Sequence, residues 1–239
     1  MALELAEVVG HLSELQRFPV EPLGGERPNA ALLGSGGLIG DRIYDLCDAG
    51  SGQPLAPTLE PLLLLYRARY SEDLIAHELE RWMRVRTPSG KEYAMSDTQW
   101  QADIERAIGR PVSLSHRPPS TDPPLHLVSR QTLKLAERTY GASLEPQRLR
   151  ANLVIEISDG RAFDENRWIG RKIRIGEAFL EIADVSVHCI VTDFRSESSA
   201  GDPDLLSGLV NVRGGHFGVA VRVVAGSRLR TGDPVVLVD

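Results

Sequence analysis

Cys189 lies in the run Val185-Ser186-Val187-His188-Cys189-Ile190-Val191-Thr192. In an extended chain, period two puts Val185, Val187, Cys189 and Val191 on one face. A free thiol there serves as a small buried apolar residue. His188 beside it, and a polar loop rich in Ser, Asp and Gly at 195–202, point to another use, a thiolate suited to a soft metal or to sulfur chemistry. Upstream, Arg148, Arg150 and Asn152 alternate ahead of a strand and share a side. That pattern suits a solvated strand entry or the binding of an anion or an amide-like heterocycle edge. Asp41-Arg42 after Gly40 likewise reads as a turn ion pair or a phosphate clamp.

Other chemistries find less support. The run Gly34-Ser35-Gly36-Gly37-Leu38-Ile39-Gly40 has no Lys-Ser/Thr ending, and the third glycine of a dinucleotide fingerprint would fall on Ile39. A tight turn into a strand is the better reading. No Gly-x-Ser-x-Gly elbow occurs. The histidines at 11, 77, 116, 126, 188 and 216 show no zinc-ligand spacing. Two cysteines make neither a disulfide framework nor a four-thiolate site, and Cys47 within Ile43-Tyr44-Asp45-Leu46-Cys47 reads as core. Only Lys91, Lys134 and Lys172 interrupt an otherwise all-arginine basic set, a ratio a GC-rich coding genome explains. It leaves few candidates for a Schiff base.

These residues sit in a chain of 239 residues, 42% apolar and 25% charged, enough for one large domain or two small ones sharing a core. A net charge of −6 and an aromatic content of 5% argue against nucleic acid as a partner. The longest apolar run, Leu62 to Tyr66, is too short for a bilayer, and the opening residues carry acids rather than a signal pattern. The expectation is a cytoplasmic protein with no membrane contact.

Short strands separated by turn residues must do most of the positioning. Asp41 to Leu46 reads as a strand ending at Asp48-Ala49-Gly50-Ser51-Gly52, and Leu59 to Tyr70 as extended. Leu79 to Arg86 reads as a strand before the Thr87-Pro88-Ser89-Gly90 turn. Asp97 can cap a helix through Trp100, Ile104 and Ile108 that stops at Gly109. Ser129 can cap a second, with Leu133 and Ala136, that stops at Gly141. Further strands are expected over Leu153 to Ile157, Lys172 to Ile175, Phe179 to Phe194, Phe217 to Val224 and Val235 to Val238, with a short helix at Asp202 to Val210. Many short, closely spaced strands predict a mainly β (α+β) barrel. The proline-rich run Arg117 to Pro124 marks the candidate boundary.

Taken in order, these fragments resemble the molybdenum-cofactor sulfurase C-terminal (MOSC) proteins, including the amidoxime-reducing enzymes. The resemblance rests on Arg17-Phe18-Pro19-Val20, Gly25-Glu26 and Gly37 to Tyr44 in the N-terminal part. It continues in Arg150-Ala151-Asn152-Leu153-Val154, Trp168-Ile169-Gly170, Ile175-Gly176 and His188 to Thr192, and closes with His216-Phe217-Gly218-Val219, Gly232-Asp233-Pro234 and Val235. It implies an N-terminal β-rich region over 1–116 and a MOSC β-barrel over 117–239, with a few peripheral helices. It also implies that Cys189 is the protein ligand to molybdenum in a molybdopterin cofactor, and the catalytic residue. Arg42, Ser129, Arg150 and Asn152 would hold the pterin and its phosphate, with Arg213 as a looser candidate.

The implied activity is reduction of a small N-hydroxylated or N-oxide substrate. Electrons would come from a separate donor protein, since the chain lacks the cysteines of an iron–sulfur domain. Two alternatives stand beside it: a cofactor or persulfide carrier acting through Cys189, and a degenerate barrel serving as an interaction module. The chain departs from the family pattern at Glu21-Pro22, where Lys-Ser is usual, at His188 in place of arginine, and at Thr192-Asp193-Phe194. An acid beside a phosphate costs affinity.

Overall fold

The computed structural model describes residues 7–71, 79–117, 125–140, 146–185 and 216–238. Its strands in the first half are β1 (Glu7–Leu15), β2 (Val20–Glu21), β3 (Ala30–Gly34), β4 (Gly37–Leu38), β5 (Tyr44–Asp48), β6 (Arg67–Tyr70), β7 (Met83–Arg86), β8 (Glu92–Ala94) and β9 (Val112–His116). The second half carries β10 (Leu125–Ser129), β11 (Leu153–Ile157), β12 (Lys172–Ile175), β13 (Ala178–Val185), β14 (Val219–Ala225), β15 (Arg228–Arg230) and β16 (Pro234–Val238). The described residues also form the α-helices α1 (Leu79–Trp82), α2 (Gln99–Ile108) and α3 (Arg130–Tyr140) and short 3-10 turns at Pro61–Leu65 and Asp164–Trp168.

Seven strands close a barrel in the order β1-β11-β10-β14-β13-β12-β16. The mainly β expectation is met. Alternation explains the barrel core: Leu153, Ile155 and Ile157 of β11 face inward with Leu125 and Leu127 of β10, Ile173 and Ile175 of β12, and Leu180 and Ile182 of β13. Val128 and Val154 belong to another apolar cluster, with Leu133 and Ala136 of α3 and Phe163 and Phe217. At Gly10 in β1 the partner strand comes so close that a Cβ would meet the Glu156 carbonyl oxygen at 2.1 Å. Only glycine permits that approach.

A separate core gathers Val20, Leu23, Tyr44, Leu46, Leu63, Met83, Val85, Trp100 and Ile104 around the small sheets β2-β5-β9 and β6-β7-β8. Helix α2 places Trp100 and Ile104 on this core and ends at Gly109, whose φ of 74° suits glycine. The Asp97 carboxylate accepts the Gln99 amide at 2.9 Å, while Thr98 is the residue at the cap position. The run Gly34 to Gly40 holds the tight turn from β3 into β4, closed by Gly34 opposite Gly37, together with β4 itself. Cys47 is buried, as its apolar setting predicts.

Three segments differ from the alternation reading. The strand expected from Asp41 starts only at Tyr44, after the turn at 40–42. The stretch 59–70 is not extended throughout: Pro61–Leu65 forms a 3-10 turn before β6. Pro61 opens the turn, and its missing N–H could not serve a sheet ladder; Leu63 then packs into the core with Leu23 and Leu46, while Leu64 is buried outside it with Leu65. The Leu79 to Arg86 stretch begins with the α1 turn and becomes strand only at Met83. The strand expected over 179–194 is observed as β13; its later residues, the helix expected at 202–210, and Gly141 lie outside the described residues.

Candidate anion-binding site

Three segments meet where the N-terminal core joins the barrel: residues 16–19 with the short strand β2 that follows, the turn 40–42 after β4, and the turn 146–152 before β11. Backbone bonds fasten them. The Gln16 amide donates to the Asn152 carbonyl at 2.8 Å, and the Arg42 amide to the Phe18 carbonyl at 2.7 Å. Arg42 and Arg150 both take left-handed backbone conformations, with φ of 48° and 51°. For residues with a side chain such conformations cost on the order of 1–3 kcal/mol and persist where the surroundings enforce them.

Asn152 is the hub. Its Oδ1 accepts from Arg42 Nη1 at 3.1 Å and from the His126 amide at 3.3 Å. Its Nδ2 donates to Asp41 Oδ2 at 3.0 Å and to the Gln16 carbonyl at 3.3 Å. All four of its hydrogen-bonding positions are therefore used inside the protein. Arg42 is nearly as fully bonded: Nη2 donates to the Arg150 carbonyl at 2.9 Å, and Nη1 also pairs with Asp41. Burial disfavours the Arg42 charge, but Asp41 and Glu21 outweigh it and hold its pKa above the usual arginine value.

Arg150 differs. Its Nη1 donates to the Leu23 carbonyl at 3.0 Å, and its guanidinium carbon stacks 4.3 Å above the Phe18 ring. The remaining edge, Nε and Nη2, is buried without a hydrogen-bond partner among the described residues. Glu21 Oε1 lies 3.0 Å from Nε, but not in line with its N–H. Burial is the main influence on this side chain and pushes its pKa below the usual value. Glu21 Oε2 lies 3.3 Å from Arg42 Nε and 3.3 Å from Arg117 Nη1, and Arg117 also reaches Asp45 at 3.4 Å. Burial raises the Asp45 carboxyl above its usual value; Arg117 opposes that shift and Glu21 adds to it.

Ser129 stands apart from this group. β10 and β11 run parallel with Ser129 opposite Ile155, three residues beyond Asn152, or roughly 10 Å along the strands. Its Oγ accepts the Thr132 amide at 3.1 Å as the cap of α3 and donates to Thr132 Oγ1 at 3.0 Å. Thr132 Oγ1 donates to the fully buried Glu165 at 2.7 Å. The structure thus brings Arg42, Arg150 and Asn152 together and places Ser129 in its own network. Cys189, His188 and Arg213 lie outside the described residues.

Sequence reasoning did not assign Phe18, Arg117, Thr132 or Glu165 to a site. Phe18 sits inside the Arg-Phe-Pro-Val motif, and Thr132 three residues after the cap; nothing local marks Arg117 or Glu165. Among the described residues, no group of three or more His, Cys, Asp or Glu side chains is placed to hold a metal ion. An anionic group is another matter. The Nε and Nη2 edge of Arg150, approached by Glu21 but not bonded in line by it, has the side-by-side donors that carboxylate and phosphate oxygens accept.

The profile of the MOSC domain matches residues 106–236, more than half of the chain. The chain belongs to the MOSC domain family. The crystal structure of the YuaD protein from Bacillus subtilis shares the MOSC-type fold with it, at a TM-score of 0.56 and 14% identity, over 98% of both chains. YiiM from Geobacillus stearothermophilus aligns over 49% of this chain and 55% of its own, at a TM-score of 0.39 and 19% identity. YiiM from Escherichia coli aligns over the same shares at 0.37 and 19%. No curated protein matches the sequence. No helix among the described residues of this MOSC protein is long and apolar enough to cross a membrane.

Proposed function

We propose that this MOSC protein binds the molybdenum cofactor and reduces small N-hydroxylated or N-oxide substrates with electrons from a separate carrier protein. The observation that carries the reading is the buried Arg150 edge, two guanidinium donors without an in-line hydrogen-bond partner among the described residues, where loops of the barrel and of the N-terminal core meet. A phosphate or pterin edge would satisfy both donors at once.

In this reading Arg150 binds the anionic end of the cofactor. Arg42 and Asn152 hold the loops that aim Arg150, because their own bonds are already made within the protein. Phe18 supports the Arg150 guanidinium plane and keeps water from its face. Ser129 and the looser candidate Arg213 would contribute further polar contacts, and Cys189 the thiolate that ligates the metal. When bound, the cofactor supplies the two-electron oxygen-accepting chemistry that no side chain supplies. A positive field at Cys189 would favour its deprotonated form.

The test is molybdenum per chain by elemental mass spectrometry, for wild type and Cys189→Ala expressed in a host that makes the cofactor. Near-stoichiometric metal, lost in the variant, supports the reading, and turnover of an N-hydroxylated substrate with a competent reductase completes it. Metal absent from folded wild type removes it. A Cys189-dependent persulfide in that metal-free protein would identify a sulfur carrier instead. The reading of a degenerate barrel is favoured by one observation, the carboxylate of Glu21 set against the arginines.

A further inference from the structure

Three guanidinium groups converge on one carboxylate. Glu21 reaches Arg150 with Oε1 and both Arg42 and Arg117 with Oε2, at 3.0, 3.3 and 3.3 Å. With Asp41 against Arg42 and Asp45 against Arg117, acids and arginines in this cluster balance. The site is therefore not the plain excess of positive charge that phosphate capture favours.

A carboxylate and a phosphate present similar oxygens to an arginine fork, so one can stand where the other binds. Glu21 does so imperfectly. It nears Arg150 Nε without aligning to its N–H, and it leaves Nη2 unmet. Each unmet buried donor costs about 1–3 kcal/mol, so an oxyanion that spans both would recover more than Glu21 does. Glu21 also has somewhere to go. Its side chain is 18% exposed, and Arg117, the outermost of the three arginines at 38%, can keep it paired.

From this geometry we infer that Glu21 is a built-in competitor: it fills the anion position of the arginine cluster, and an incoming phosphate group must displace it to reach Arg150. The inference rests on the cluster being the anion-binding end of the proposed site, and it sets how tightly that end holds its ligand.

The experiment is calorimetric titration of the full chain with inorganic phosphate and with pyrophosphate, comparing wild type, Glu21→Gln and Glu21→Gln/Arg150→Gln. Removing the competing charge is expected to tighten binding at least tenfold, and the gain should vanish in the double variant. Equal affinity in wild type and Glu21→Gln, absence of binding in both, or a gain that survives loss of Arg150 overturns the inference. Should Glu21→Gln not fold, Glu21→Asp withdraws the carboxylate by one methylene and is expected to tighten binding several-fold, with no change counting against the proposal. Phosphate competition in a chain that acquires no molybdenum leaves the competitor role standing and removes the cofactor reading. Cys189-dependent molybdenum with phosphate affinity indifferent to Glu21 does the reverse.

Discussion

Arg42 and Asn152 are joined by a single hydrogen bond of 3.1 Å that links the turn after β4 to the end of the turn that leads into β11. Around it, every polar atom of Asn152 is engaged and none is exposed. Asn152→Ala strips partners from Asp41, Arg42 and two backbone groups in a buried setting. We expect a loss of about 2–3 kcal/mol, because the groups left behind bear the desolvation cost. Urea unfolding midpoints check this; a variant as stable as wild type contradicts the hub.

Thr132 makes a comparable junction at the start of α3. Its Oγ1 accepts from Ser129 Oγ and the Phe163 amide and donates to Glu165. Thr132→Val keeps the shape and removes the oxygen, so roughly 2–3 kcal/mol should be lost. Thr132→Ser retains the oxygen and should stay within about 1 kcal/mol of wild type. Thermal unfolding of the pair distinguishes a polar role from simple packing.

Gly10 and Gly36 offer a paired test of backbone approach. A Cβ at Gly10 would stand 2.1 Å from the Glu156 carbonyl oxygen, whereas at Gly36 it would meet nothing within 4 Å. Gly10→Ala must open the β1–β11 pairing and is expected to cost more than about 2 kcal/mol, with Gly36→Ala within about 0.5 kcal/mol of wild type. Equal stabilities in denaturant would contradict the close strand contact.

Glu26 supplies a pH dependence. Burial raises its carboxyl above the usual value of 4.5, with Arg17 only partly opposing the shift. The folded state therefore holds the proton more tightly than the unfolded chain does. Its contribution is complete below the unfolded value and is lost as pH rises through the folded one. As pH rises above the usual carboxylate value, wild type should lose stability relative to Glu26→Gln, in which that titration is gone. Parallel stability–pH curves would show that Glu26 does not titrate this way.

Much of the fold was legible because strands write their period directly into the chain. Leu153 to Ile157 and Lys172 to Ile175 coincide with β11 and β12, bounded by turn residues on both sides. The Leu62 to Leu65 run was not, since four identical apolar residues carry no period. At the site, Arg42, Arg150 and Asn152 stood out as residue types, but their division of labour did not. That Asn152 is fully spent and Arg150 is not depends on which carbonyls the folded loops deliver. Glu21 looked like a local departure from a motif. Its place between three arginines is a fact of convergence from residues 21, 42, 117 and 150, which no window along the chain contains.

The barrel seam lies between β1 and β16, with Val8 opposite Val236 and His11 opposite Pro234. During synthesis β1 leaves the ribosome long before its seam partner exists. Until residues 234–238 arrive, that strand presents an unpaired edge of the kind that invites contact with other chains. Ring closure is then the last step that vectorial synthesis allows, and a contact of such long range is a slow one. The seam thus ties the barrel's completion to the arrival of its final strand, so that truncation there would leave an open sheet rather than a smaller barrel.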